Sequence, residues 1–173
     1  AVARRSEGLL HFVQSYRRLT RNLVPRMERF PVRRIFARLE RLMGPDLADR
    51  GIAISTSVEP EMLELSADAE LIDQALINLI RNAMDALKGR PGARISLAAQ
   101  LDDGAGVALS VSDNGPGVDP AIRDKIFVPF YTTKRTGTGV GLSLTRQIVL
   151  VHDGAVELSE TPGGGATFTL RFK

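Results

Sequence analysis

The sequence predicts an α/β fold, a two-layer sandwich in which helices cover a mixed, mostly antiparallel sheet, with a helical segment at the N-terminus. Apolar residues follow the helical period in several stretches, whereas other stretches alternate apolar and polar residues between glycine and proline turns. The predicted strands group on one side and the helices on the other, which favours two layers. A chain of 173 residues is long enough for one such domain and an appendage.

Residues 1–24 predict a helix that packs on a partner helix. Most of their apolar residues keep the three-and-four spacing of a coiled-coil seam: Leu9, Phe12, Val13, Tyr16, Leu19 and Leu23. Two heptads are few, so an ordinary amphipathic helix explains the spacing as well as a dimer seam does. Pro25 and Pro31 then interrupt regular helix, which makes residues 25–31 the candidate linker and 32–173 the domain proper.

Within this domain, three helices are predicted, at 32–49, 68–87 and 140–151. Gly44 and Pro45 are a candidate interruption of the first helix, and Asp68 is a suitable N-cap for the second. Strands are predicted at 52–58, 94–101, 107–112, 155–159 and 166–172, with an extended piece at 62–65 and a short helix at 120–126.

Composition excludes several classes of protein. No apolar run is long enough for a membrane-spanning helix, and the absence of cysteine excludes disulfides and thiolate metal sites and fits a reducing compartment. The sequence has no initiating methionine and no signal region, so we expect it to be part of a longer protein. Residues 1–50 carry twelve arginines against five acidic residues, but the arginines are scattered without aromatic partners, which favours a solvated face and no nucleic-acid partner.

A polar stripe lies along the predicted helix at 68–87. Gln74, Asn78, Asn82 and Asp85 recur every three or four residues on a face separate from the apolar one. Asparagine is a poor helix former, so its presence mid-helix favours a functional stripe, although a solvated face explains the spacing equally well. An asparagine oxygen suits Mg²⁺, which takes only one or two protein ligands beside nucleotide phosphates.

Two glycine-rich segments follow. Asp113 ends a predicted strand and is followed by Asn114-Gly115-Pro116-Gly117, where it could accept a hydrogen bond from a ligand amino group; a simple tight turn is the stronger interpretation of this segment alone. The second segment, 137–142, alternates glycines and opens a helix, which favours an anion cradle. Residues 126–134 run from aromatic anchors into a polar stretch with one lysine, as a lid over phosphates requires.

In combination and order, these segments resemble the motifs of the GHKL ATPase and kinase superfamily. Residues 76–83 resemble its N box and Asp113 to Gly117 its G1 box. Phe127 to Phe130 resembles the F box, Gly137 to Gly141 the G2 box, and 163–168 the final glycine box. The resemblance covers residues 68–172 and implies the Bergerat fold, with ATP and Mg²⁺ as cofactors.

The same resemblance implies individual roles. Asp113 recognises the adenine amino group with support from Thr167, and Asn82 holds Mg²⁺ with Asn78 and Asp85 nearby. Lys134 and the Gly139 and Gly141 amides contact phosphate, so Asn78, Asn82 and Lys134 are the catalytic candidates. The remaining members of the expected nucleotide site are Gly115, Gly117, Val118, Ile126, Phe127, Thr133, Gly137, Thr138, Val140 and Leu142.

Position 78 favours a kinase over a hydrolase. Hydrolases of the superfamily place a glutamate one turn before the Mg²⁺ asparagine, where it activates water, and this chain has Asn78 there. An amide cannot act as a general base, so the phosphoryl group should survive for another acceptor. A GHKL-type ATPase, an anti-sigma-type protein-serine kinase or a nucleotide-gated binding module remain alternatives.

The N-terminal segment 4–13 resembles, more weakly, the second helix of the dimerisation hairpin in nitrogen-regulation-type sensor histidine kinases. This implies a catalytic domain that phosphorylates a histidine upstream of residue 1, because neither His11 nor His152 has the family's phosphoacceptor context. The implied partners are the protein's own dimerisation and phosphoacceptor domain and a downstream response regulator, with a homodimer as the full-length form. The expected location is the cytoplasmic part of an inner-membrane sensor.

Overall fold

The structure, a computed structural model, describes residues 13, 14, 17, 22–104, 106–135 and 137–173. Its seven strands are β1 (Glu28–Pro31), β2 (Ala53–Glu59), β3 (Glu64–Ala67), β4 (Arg94–Leu101), β5 (Val107–Asp113), β6 (Ala155–Glu160) and β7 (Ala166–Phe172). Its helices are α1 (Val32–Asp49), α2 (Ala69–Ala86) and α3 (Gly141–Val151), with a short 3-10 helix at Pro120–Ile122. Most of the predicted N-terminal helix, including His11, lies outside the described residues.

The main sheet has five strands in the order β2-β4-β5-β7-β6. Only β2 and β4 pair in parallel, and the other neighbours are antiparallel. The helices cover one face, where apolar residues such as Leu97, Leu109 and Leu170 are buried. The opposite face carries small hydroxyl side chains, including Ser96 and Ser112, that are partly or fully exposed. The predicted two-layer α/β sandwich with a mixed, mostly antiparallel sheet is confirmed.

Helix α1 continues through Pro45, so the predicted interruption at that residue is wrong. Met43 and Leu47 are both buried on either side of it, so packing against the core holds the helix together across the proline. The N-cap prediction for α2 is confirmed, because Asp68 Oδ1 accepts hydrogen bonds from the backbone N–H groups of Glu70 and Leu71, each at 3.1 Å.

The predicted linker needs a correction. Its last four residues form β1, which pairs antiparallel with β3, so the folded unit begins before Val32. The physical reason is Phe30, which is 1% exposed and lies opposite Leu65, giving the strand an apolar anchor in the core. The chain just before β1 is also held, because the Arg26 backbone N–H donates to Asp68 Oδ2 at 2.8 Å.

Among the described residues, none of the helices combines the length and apolar character needed to cross a membrane.

Candidate functional site

Asp113, the last residue of β5, points into the helix-covered side of the sheet and is 5% exposed. Its Oδ1 accepts hydrogen bonds from the backbone N–H groups of Gly115 at 2.8 Å and Ala166 at 3.3 Å. Burial raises the pKa of this carboxyl, against the opposing effect of those two N–H groups and of the Arg90 charge. The result is a buried acceptor whose position is set by backbone, as recognition of a ligand amino group requires.

The turns around Asp113 depend on glycine. Gly165, in the β6–β7 turn, has φ +113° and lies so close to the Asp113 carbonyl that no side chain would fit there. Asn114 does not face the same way as Asp113: it bonds the start of β4, accepting from Arg94 N at 2.7 Å and donating to Gly92 O at 2.9 Å. The turn interpretation therefore holds for Asn114, while Asp113 is directed inward.

Asn78, on α2, connects the polar stripe to the second glycine segment. Its Nδ2 donates to the carbonyl of Gly141, the first residue of α3, at 3.3 Å. Gly141 also lies close enough to Asn78 that an added Cβ would be in van der Waals contact with it. The structure thus brings together two segments that are 63 residues apart.

Asn82 and Asp85, further along the same stripe, share one partner. The Lys134 ammonium donates to Asn82 Oδ1 at 2.8 Å and to Asp85 Oδ2 at 2.7 Å. The lysine side chain is 39% exposed and that of Asp85 is 51% exposed, so the pair is largely solvated. Three residues that sequence reasoning assigned to one end of the site therefore meet.

The glycines at 137–141 lead into the N-terminus of α3, where no side chain caps the helix. Gly139 has φ +67° and lies directly against the backbone of Phe130, which itself adopts φ 67° and donates its N–H to Gly139 O at 2.8 Å. A side chain at 139 would collide with that backbone, so this contact requires glycine. The first N–H groups of α3 can bind an anion at this end of the site.

The segment 118–127 anchors the lid to the core. Ile126 is buried, and Phe127 packs edge-to-face on Phe168 with ring centroids 6.2 Å apart.

The remaining predicted contact residues differ in burial. Val118 and Leu142 pack against the core as half-buried residues, and Val140 is buried. The other predicted contact residues, Thr133 and Thr138, are exposed, while Gly117 and Gly137 lie in the two glycine turns.

The expectation for Thr167 needs a correction. Its hydroxyl donates to Ser112 Oγ at 2.8 Å and lies 3.0 Å from the Thr161 hydroxyl, on the open face of the sheet. Ser112 and Asp113 are consecutive strand residues and point to opposite faces, so Thr167 lies away from the Asp113 carboxyl. The residue that faces Asp113 is Ala166, through its backbone N–H.

Sequence reasoning also missed a cavity beside the Asp113 turns. It has a volume of about 480 Å³ and is lined mainly by two turns, residues 116–118 and 160–165. Arg123 and Glu160 form an ion pair at 2.6 Å on its wall. Arg123 lies 37 residues from Glu160 in the sequence, and no local sequence pattern predicts a contact at that separation.

His152 is a structural residue. It follows α3, is 8% exposed, and its Nε2 accepts the Asp68 backbone N–H at 2.9 Å while Nδ1 lies 2.7 Å from Ile148 O. Because Asp68 N can only donate, Nε2 is the acceptor and Nδ1 carries the proton. Both ring nitrogens are therefore engaged, which supports the packing interpretation over a phosphoacceptor.

Comparison with known proteins gives consistent results. The sequence profile of the family described as "Histidine kinase-, DNA gyrase B-, and HSP90-like ATPase" matches residues 67–173. The signal transduction histidine-protein kinase AtoS of Escherichia coli (strain K12) is 41% identical over 115 residues, which are 66% of this chain and 19% of AtoS.

Two solved structures are similar along most of the chain. The catalytic domain of histidine kinase ThkA has a TM-score of 0.76 and 29% identity, covering 84% of this chain and 94% of ThkA's domain. Full-length ShkA in complex with AMPPNP has a TM-score of 0.84 and 28% identity, covering 98% of this chain and 36% of ShkA. The chain thus spans well under two thirds of AtoS and of ShkA.

Proposed function

The chain belongs to the histidine kinase-, DNA gyrase B- and HSP90-like ATPase family, and we propose that it is the ATP-binding catalytic domain of a sensor histidine kinase. In this proposal it binds ATP with Mg²⁺ and donates the terminal phosphoryl group to a histidine elsewhere in a longer protein. The similarity to AtoS, ThkA and ShkA, all histidine kinases or their domains, supports it.

The adenine base would bind at Asp113. A buried carboxylate held by two backbone N–H groups accepts the adenine amino group without moving, and the glycines of both turns let a flat ring approach the backbone. Ala166, rather than Thr167, completes this end of the site through its N–H group.

The phosphates would bind between the polar stripe of α2 and the N-terminus of α3. The described residues contain no cluster of three or more histidine, cysteine or acidic side chains able to hold a metal by themselves. Asn82 and Asp85 nevertheless supply two oxygen atoms that face one point, which fits Mg²⁺ arriving with a nucleotide. When bound there, Mg²⁺ would neutralise phosphate charge, and Lys134 and the α3 N-terminus would bind the phosphate oxygens.

The observation that carries the choice of a kinase is Asn78. It lies one turn before Asn82, on the same face of α2, and its amide is engaged with Gly141 O. A hydrolase needs a general base near the terminal phosphate, and an amide cannot take a proton from water at neutral pH. ATP bound here would therefore keep its phosphoryl group until an acceptor histidine reaches it.

The acceptor histidine, the response regulator, the location and the oligomeric state are proposed for the longer protein of which this chain is a part. We place the acceptor histidine upstream, on a dimerisation domain whose second helix ends within residues 1–24, and we take a response regulator as the next acceptor. ThkA, which shares this fold, has been solved in complex with the response regulator TrrA. A cytoplasmic position for the domain and a homodimeric parent protein complete the proposal.

Radiolabelled ATP tests the proposal. The parent protein should acquire phosphate that is stable to base and labile to acid, as expected for phosphohistidine, and Asp113→Ala in the parent should reduce the label at ATP concentrations near the native dissociation constant. The 173-residue chain alone should bind ATP and ADP with Mg²⁺ but remain unlabelled. Acid-labile label on the chain alone that disappears in His11→Ala would contradict the upstream acceptor.

A further inference from the structure

Lys134 holds the two oxygen atoms that the proposed function assigns to the metal side of the site. One nitrogen atom lies within 2.8 Å of both Asn82 Oδ1 and Asp85 Oδ2. The lysine comes from the lid, 52 residues away from the asparagine, so this contact ties the lid to α2.

An ammonium group and Mg²⁺ compete for such a position. Both prefer oxygen ligands and both carry positive charge, so Asn82 and Asp85 cannot serve the two at full strength. Like charges placed at one point also repel, which opposes simultaneous occupancy. Binding of a metal–nucleotide would therefore require the lysine to leave these oxygens, and the phosphates offer it new acceptors nearby.

We infer that Lys134 acts as a substitute cation: its ammonium group occupies the place of the divalent metal between Asn82 and Asp85, holds the lid on α2, and is displaced by the metal–nucleotide. This inference rests on the proposed function. It makes Lys134 the residue that sets how strongly nucleotide affinity depends on metal. When the metal is removed from the native protein, the nucleotide still meets a cation at this position. Removal of the metal should therefore weaken nucleotide binding less in the native protein than in a variant without the lysine.

The expected size of the effect is modest. The pair is largely solvated, with side-chain exposures of 39% and 51%, and exposed ion pairs change equilibria by only a few fold. Weak pairing suits an exchangeable contact, because a tightly held lysine would exclude the metal altogether.

Calorimetric titration of AMPPNP, with Mg²⁺ and with EDTA, tests the inference. The dissociation constant in EDTA divided by that in Mg²⁺ measures the coupling between metal and nucleotide. In Lys134→Met this ratio should rise about threefold to fivefold over the native protein, on the scale of an exposed ion pair. The matched control is Lys125→Met, an exposed lysine just before the lid, which should leave the ratio unchanged. An unchanged or smaller ratio in Lys134→Met would overturn the inference.

Amide hydrogen exchange without nucleotide provides a second readout. Exchange of the amides of residues 131–135, 137 and 138, in the lid and the glycine segment that follows it, should accelerate in both Lys134→Met and Asp85→Asn, but not in Lys125→Met. Equal exchange in all four proteins, or native lid amides that already exchange like an unstructured peptide, would also overturn it. If the native protein bound no AMPPNP with Mg²⁺, the proposed function would fail instead, and the exchange result would still report on the contact.

Discussion

The two ends of the site are built in opposite ways. The base end, formed by Asp113 with the backbone of Gly115 and Ala166, is buried and held by hydrogen bonds between residues of the sheet and its turns. The phosphate end, formed by Asn82, Asp85 and Lys134, is solvated and held by side chains on a loop and a helix. The base end is preorganised, so it can select a ligand with little rearrangement, whereas the phosphate end must exchange its partners when a ligand binds.

The first prediction concerns chemistry at the phosphate end and has the largest expected effect. Asn78→Glu should raise ATP hydrolysis at saturating ATP by severalfold up to about a hundredfold, because a carboxylate can take a proton from water. Nucleotide affinity should change far less. Phosphate release by the purified chain is the measurement.

Asn78→Gln is the matched control, because it has the length of glutamate without the charge and should leave hydrolysis at the native rate. The double variant Asn78→Glu with Asn82→Ala should lose the gain. If the native chain already hydrolyses ATP as fast as the Glu variant, the ATPase alternative moves ahead.

The second prediction tests preorganisation at the base end. Asp113→Ala should weaken binding of ATP and ADP by about 1 to 3 kcal/mol, roughly fivefold to 150-fold, because the adenine amino group loses its buried acceptor. The fold should remain, because Asp113 is the last residue of β5 and the apolar residues of the core are unchanged. Circular dichroism checks that the helices and strands are retained. Unchanged affinity by calorimetry would show that the base binds at another place, such as the cavity beside Arg123 and Glu160.

The third prediction concerns order at the phosphate end. Lid amides in 131–138 should gain protection from hydrogen exchange when AMPPNP and Mg²⁺ bind, while amides of β5 should change little. The lid buries few apolar side chains, with Thr133, Lys134 and Thr138 all exposed, so contacts with the ligand should add protection beyond that of the solvated Lys134 contact. Equal lid protection with and without AMPPNP would remove the distinction between the two ends.

The smallest expected effect is on stability at the base end. Burial raises the pKa of Asp113 above 3.8, its value in an unfolded chain. The folded protein then holds this proton more tightly, so the contribution of Asp113 to stability is greatest below pH 3.8 and is lost as pH rises through the raised pKa. The free energy of unfolding, native minus Asp113→Asn, should therefore fall as pH rises from 3.8 through the raised pKa.

Urea unfolding at several pH values measures that difference. Asp73, whose pKa burial also raises, is present in both proteins and cancels. A difference that stays constant or grows with pH would mean that the backbone N–H groups outweigh burial at Asp113.

The sequence by itself determined the elements and the parts of the site. Helical and alternating periods, the Asp68 cap and the glycine turns are local features, so β4 and β7 were predicted with the bounds that the structure has. Helical spacing was sufficient to predict the polar stripe of α2, and the order of the motifs was sufficient to propose Asp113 as a site residue. The linker boundary was misjudged because the burial of Phe30 depends on a strand 35 positions further along the chain.

Tertiary structure alone decided which parts meet. The contact of Lys134 with Asn82 and Asp85 joins residues about fifty positions apart, and no period in the sequence encodes it. Strand register decided the choice between Thr167 and Ala166, because a shift of one residue exchanges the two faces of a sheet and both residues fit the same glycine-rich motif. Neighbouring residues determine caps, turns and helical or strand periods, whereas strand register and long-range contacts depend on the packing of the whole domain.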